Sequence, residues 1–150
     1  MIAVLQRVTS GGVFVAEENY RREIGKGIVI LLGVKEGDGD EEMKFVADKC
    51  SNLRIFNDDE GKMNLSLKDV GGSALIISQF TLYGDTRKGH RPSYTDAAKP
   101  EAANELYEKF VERMKENIGV EKVETGIFGA MMEVKIINDG PVTLIVKSKE

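Results

Sequence analysis

Cysteine and histidine occur once each in this 150-residue chain, as Cys50 and His90. A single cysteine excludes an internal disulfide and fits a reducing compartment. A metal site of thiolates and imidazoles needs three or four such ligands at set spacings, which this inventory cannot supply. Long apolar runs are missing too. The longest, Ile28 to Val34 with Gly33 inside it, falls far short of a membrane span. The start, Met1 to Arg7, has no basic region leading into an apolar stretch, so no signal peptide is expected and the cytoplasm is the expected address. Positive charge is also in deficit, with 21 Lys and Arg against 25 Asp and Glu and a net charge of −4. That balance argues against a general nucleic-acid binder, which needs a concentration of cations to neutralise phosphates. One dense basic cluster stands out, Arg87-Lys88-Gly89-His90-Arg91, with Lys99 shortly after it. On composition alone it reads as a solvated loop.

The usual reactive machinery is equally sparse. A Ser-His-Asp arrangement would have to recruit His90 from among Arg, Lys and Gly in a loop. Cys50 falls on the apolar stripe formed by Met43, Val46, Ala47 and Leu53, so a buried structural thiol is expected rather than a nucleophile. Neither standard glycine-rich phosphate loop occurs, which leaves nucleotide hydrolysis and dinucleotide redox chemistry without support. Asn57-Asp58-Asp59-Glu60-Gly61 lacks the alternating ligands and distal Glu of a calcium loop and reads as a plain turn. No metal and no cofactor are expected.

What is present is an ordinary globular mix, 41% hydrophobic and 31% charged, at the size of one domain. Alternation over Ile2–Val8 predicts a strand, and Ser10-Gly11-Gly12 predicts a turn into a second strand, Val13–Val15. Gly27–Val34 is nearly all apolar, as in a strand covered on both faces. Gly37-Asp38-Gly39-Asp40 opens the helix that carries Cys50, and Pro100 opens another, with Leu106, Phe110 and Met114 on one face. Ala74–Leu82, Val120–Glu124, Met131–Ile137 and Val142–Val146 read as further strands. About seven or eight clustered strands with two main helices predict an α+β domain with largely antiparallel sheets.

Two segments are conspicuous because polar groups interrupt apolar strands. Ser78-Gln79-Phe80-Thr81-Leu82-Tyr83 is either an edge strand with solvent-facing hydroxyls or a strand end offering N–H groups and hydroxyls to an ester carbonyl. Asn138-Asp139-Gly140-Pro141-Val142-Thr143 has the composition of a hairpin turn. In these two motifs, and in Gln6-Arg7-Val8, Asn52–Phe56, Gly61–Ser66 and Val123–Gly126 with Phe128–Met132, the chain resembles the D-aminoacyl-tRNA deacylase family over essentially its whole length.

The resemblance implies a compact barrel-like subunit, a homodimer with active sites at the subunit interface, and aminoacyl-tRNA as the partner. It implies a site of Ser78, Gln79, Phe80 and Thr81 in one subunit, facing a cis Gly140–Pro141 peptide from the other. That turn, which includes Asn138, would act as a chiral gate. Its carbonyls would hold the substrate α-amino group and leave no room for an L side chain. Arg7 would support the gate with its planar fork, and Phe128 and Met132 would pack on the terminal adenine. Glycyl-tRNA, having no side chain, would also be a substrate. Two mechanisms follow from the resemblance. Thr81 is one candidate nucleophile, although no base is evident beside it. In the other, the neighbouring ribose hydroxyl of the RNA helps activate water while N–H groups near Gln79 and Phe80 stabilise the charge. A non-catalytic tRNA- or RNA-binding module using Arg87–Arg91, and a structural dimer with a ligand pocket, are the competing readings.

Overall fold

The apolar runs of this chain resolve into one curved sheet with helices on its outer side. The structure, a computed structural model, describes residues 1–149. Strand β1 (Ile2–Val15) is followed by β2 (Tyr20–Ile24), β3 (Gly27–Gly33), helix α1 (Asp40–Asn52), β4 (Phe56–Asn57) and β5 (Met63–Leu65). Then come a short helix α2 (Leu67–Val70), β6 (Ser73–Ser78), α3 (Pro100–Ile118), β7 (Val123–Thr125) and β8 (Glu133–Lys147). The main sheet runs β2-β1-β3-β6-β7, with β8 pairing along β1, and β4-β5 form a small separate ribbon. Pairs to β1 are antiparallel, whereas β3-β6 and β6-β7 are parallel. The two ends of the sheet curl towards each other. Tyr20 Oη donates to the Thr125 carbonyl at 2.7 Å, and Arg22 approaches Glu124 at 3.9 Å. The result is a nearly closed barrel in an α+β fold, the class that the sequence pattern predicts and the shape that the resemblance implies.

Two-residue alternation sorts the strand residues onto two faces. Ala3, Leu5, Ile28, Ile30, Leu32, Ala74 and Ile76 face the helices, where they meet Val46, Cys50, Phe110 and Met114. Val8, Val29, Leu75 and Ile77 fill the barrel interior with Val13 and Ile24. β3 and β6 contribute to both clusters, which is why their sequences are apolar at nearly every position. Tyr107, on the buried face of α3, donates its hydroxyl to the Ile76 carbonyl at 2.7 Å. Cys50 is buried on α1, and loss of hydration pushes its thiol up to about 12. Asp58 accepts the N–H groups of Glu60 and Lys62 at 2.9 and 3.0 Å, which makes the acidic Asn57–Gly61 segment an Asx-type turn.

Three expected boundaries are corrected. Ser10-Gly11-Gly12 is no turn. β1 is continuous, and a bulge at Thr9 lets Val8 pair with Asn138 and Ser10 with Ile137. The extra residue flips the alternation, so that Val8 and Val13 share the barrel interior despite their odd spacing. Asn138–Thr143 is no hairpin either, because the segments on both of its sides pair with β1 in the same direction. The strand expected over Ala74–Leu82 stops at Ser78, where the chain enters a 3-10 turn, Phe80–Tyr83.

At the centre of the sheet, a Cβ on Gly27 would lie 1.8 Å from the Ser73 carbonyl oxygen. That collision is with backbone, and no rotamer relieves it. Gly27→Ala is therefore expected to lower unfolding stability by about 3 kcal/mol, measured by urea titration. A loss below about 1 kcal/mol would show that the β3-β6 pair yields easily.

Candidate functional site: a clamped loop and an exposed turn

The second polar motif is a detour in the edge strand β8. Gln6 pairs with Thr143 and Val8 with Asn138, so Asp139–Val142 are extruded opposite the one residue Arg7. Arg7 occupies the gap. It is only 7% exposed, donates Nε to the Asp139 carbonyl at 2.9 Å, and donates Nη1 to the Ile55 carbonyl at 2.6 Å. Its fork does hold two carbonyls, one of the loop and one of the segment after α1. The Asp139 carboxylate adds an ion pair to Arg7 at 3.6 Å.

Asn138 ties the loop base from the other side. Its Oδ1 accepts the Val142 N–H at 2.7 Å, and its Nδ2 donates to Thr143 Oγ1 at 3.0 Å. Gln6 Nε2 also donates to Thr143 Oγ1, at 3.3 Å. Gly140 and Pro141 stand exposed above this clamp, joined by a cis peptide bond. At φ +141°, a side chain on residue 140 would strike Val142 Cγ2 at 2.7 Å. Only glycine fits there.

The first motif leaves the end of β6. The Gln79 N–H is committed to the Leu32 carbonyl at 2.8 Å, the last tie to β3. Its proton is thus already engaged within the sheet. The next N–H groups, of Phe80 and Thr81, have no acceptor among the described residues, as is usual in the first turn of a helical segment. Gln79 Nε2 donates to Thr81 Oγ1. The neighbour of the hydroxyl is thus an amide donor, which cannot take its proton. Phe80 is 56% exposed, with its ring edge against Tyr94 at 5.1 Å between centroids. Ser78 is half-buried at the strand end, where Leu32 is its partner.

Phe128 and Met132 do not share one environment. Phe128 leans on Tyr107 at 6.0 Å between ring centroids, on the helical side, while Met132 packs against the barrel interior. Both are half-buried. Among the described residues, no three His, Cys, Asp or Glu side chains converge as a metal site would require. No helix among them is long and apolar enough to cross a membrane.

Comparison with known proteins decides the family. The model of the D-Tyr-tRNA(Tyr) deacylase family matches residues 4–147. The chain belongs to that family. It is 60% identical over 150 residues to a D-aminoacyl-tRNA deacylase of Fervidobacterium nodosum, covering 100% of this chain and 99% of the relative. The corresponding protein of Anoxybacillus flavithermus is 56% identical over 149 residues, 99% of this chain and 100% of the relative. Among solved structures, the c-Myc DNA unwinding element binding protein superposes with a TM-score of 0.94 at 38% identity, covering 100% of both chains. A probable eukaryotic D-amino acid tRNA deacylase gives 0.81 at 19% identity over 97% of both chains, a likeness of fold. Family membership and the relatives together support D-aminoacyl-tRNA deacylase activity.

Sequence reasoning reached the polar residues of both motifs. It missed Ile55, whose carbonyl shares Arg7, and Tyr94, which supports Phe80. Both contacts join segments distant in sequence, so no local pattern announces them.

Replacing Arg7 by Leu leaves the Asp139 and Ile55 carbonyls without their charged donor. The expected loss is about 3 kcal/mol of stability, together with faster hydrogen exchange at Val142. Arg7→Lys is expected to recover less than half, because an ammonium lacks the fork. Full recovery by Lys would show that charge alone holds the loop.

Proposed function

We propose that this chain hydrolyses the ester of D-aminoacyl-tRNA in the cytoplasm, as a homodimer in which the Gly140–Pro141 loop of one copy meets the Phe80–Thr81 turn of the other. The observation that carries this reading is the loop itself, extruded from a continuous strand and fastened by Arg7 and Asn138. A loop so held has few ways to yield, and an unyielding wall is what discrimination by exclusion requires. Its carbonyls would receive the substrate α-amino group, with an L side chain directed into the backbone and a D side chain directed away. Glycine, with no side chain to exclude, would pass the same gate.

Position supports the use of a second copy. Arg7 pairs with Ile28, whereas Ser78 pairs with Leu32, four residues farther along β3. At about 3.4 Å per residue, the loop and turn of one copy are separated by roughly 14 Å along the strand direction alone. The outer edge of β8 has no partner strand among the described residues, and it carries Ile137, Leu144 and Ile145 among the exposed large apolar residues. A long edge with such residues is a pairing surface.

The chemistry follows from what the turn offers. The N–H groups of Phe80 and Thr81 would stabilise the developing oxyanion. Thr81 Oγ1 faces an amide donor rather than a base, so attack by this hydroxyl finds no hydrogen-bonded proton acceptor among the described residues. We therefore favour attack by water, with the neighbouring ribose hydroxyl of the substrate relaying the water's proton to the departing ribose oxygen of the cleaved ester, and with Phe128 and Met132 placing the terminal adenine. The alternative, a nucleic-acid-binding module without turnover, finds encouragement in the name of the DNA unwinding element binding protein. The net charge of −4 weighs against it.

Purified protein, with chelator present, is to be mixed with D-tyrosyl-, L-tyrosyl- and glycyl-tRNA, and ester loss followed against a protein-free control. Rapid loss of the D and glycyl esters with the L ester intact is expected. Loss of both tyrosyl esters would remove the gate, and loss of neither would leave the binding module. Thr81→Ala is expected to keep most of the D-ester rate. A fall above about a thousandfold, on the order of 4 kcal/mol of barrier, would restore Thr81 as nucleophile.

A further inference from the structure

The basic cluster singled out in the sequence plays no part in the site described above, yet it is built into that site's framework. Asp85 and Ser93 exchange backbone hydrogen bonds at 2.7 and 3.0 Å and close a loop over residues 86–92. Inside it, the Asp85 carboxylate accepts the Arg87 N–H at 3.0 Å, Nε at 2.9 Å and Nη2 at 2.8 Å. Those bonds hold the Asp85 carboxyl down at about 2. Arg87 is thereby paired with a carboxylate and braces the loop. Both stems of the loop bear on the turn that carries Phe80 and Thr81. The Gly84 N–H donates to the Thr81 carbonyl at 2.9 Å, and Tyr94 supports the Phe80 ring.

We propose that this loop docks the phosphate backbone of the substrate RNA beside the end held at Phe80 and Thr81, an inference that rests on the tRNA reading above. Residues 86–95 contain no Asp or Glu. Lys88 and Arg91 are exposed and have no carboxylate partner among the described residues, unlike Arg87. Unneutralised cations on a braced loop lose little freedom when they meet phosphates, and phosphate contacts fix register without reading sequence.

The test uses an uncharged RNA hairpin of acceptor-stem length, with binding measured between about 50 and 200 mM salt. The full chain carrying Lys88→Gln and Arg91→Gln is compared with wild type and with a charge-matched control, Lys44→Gln with Lys62→Gln. Thermal unfolding confirms that each variant is folded. The loop variant is expected to bind about tenfold weaker or worse at low salt, with a log–log salt slope flatter by about 1.5 for two lost phosphate contacts. The control is expected to match wild type. Equal affinity and slope in the loop variant, an equal loss in the control, or no binding by wild type would each overturn the proposal. The hairpin carries no ester, so this result is independent of turnover. The chain could hydrolyse D-esters and fail here, or bind here and hydrolyse nothing.

Discussion

The guanidinium of Arg7 is the interaction on which the rest depends. Where β8 leaves the ladder, β1 loses its neighbour, and the carbonyls there need a donor as reliable as a backbone N–H. Arg7 sits on the same face of β1 as Ala3 and Leu5, so it enters from the helical side, already enclosed by the core. A buried cation is costly unless its hydrogen bonds are made, and here it is bonded to two carbonyls, with the Asp139 carboxylate nearby. The strand break and the buried charge satisfy each other. Neither would be stable alone.

The bulge at Thr9 matters next, because it falls directly beside that break. It turns the alternation of β1 over, so that one continuous strand lines the helical core with its first half and the barrel interior with its second. Two irregularities of opposite kind, an extra residue in β1 and extra residues in β8, thus sit side by side. Between them they bend the sheet towards closure and expose the loop at its edge. The increased local twist that bulges bring accounts for how so small a sheet curls round far enough for Tyr20 to reach Thr125.

What the sequence made legible, and what it hid, follows from the range of the forces involved. Periodicity exposed α1 and α3, the buried thiol of Cys50 and the doubly covered strand β3, because one face of packing writes its pattern into consecutive residues. The misread segments are those whose conformation is set across the sheet. Asn138-Asp139-Gly140-Pro141 carries the same turn chemistry whether it reverses a chain or bulges from one, and the register of β1 alone separates the two. Ser10-Gly11-Gly12 misleads for the same reason. The strand ending at Ser78 looks longer in sequence because Phe80 and Leu82 are apolar, yet the ladder stops once Leu32 has no further carbonyl to offer beyond the one held by Gln79. Both motifs were legible as polar interruptions, and the resemblance implied the cis peptide and the Arg7 fork, but the extrusion of the loop from a continuous strand was not legible.

A chain so poor in reactive side chains can still be an effective hydrolase if the substrate brings the reactive group. The proposed division of labour follows from this. The protein supplies two N–H donors and a wall, and the RNA supplies the hydroxyl. Such an arrangement places little demand on acid–base chemistry and a heavy demand on rigidity, since a wall that moves by the width of a methyl group no longer discriminates. The structure concentrates its side-chain hydrogen bonds accordingly. Asn138 and Gln6 spend their polar groups on the base of one loop and Arg7 ties it to the segment after α1, while Thr81, the group that ordinary hydrolase chemistry would surround with a base, bonds through its hydroxyl to one amide among the described residues. On the proposed reading, selectivity would be a property of backbone held in place, and the side chains that matter would be the ones that hold it.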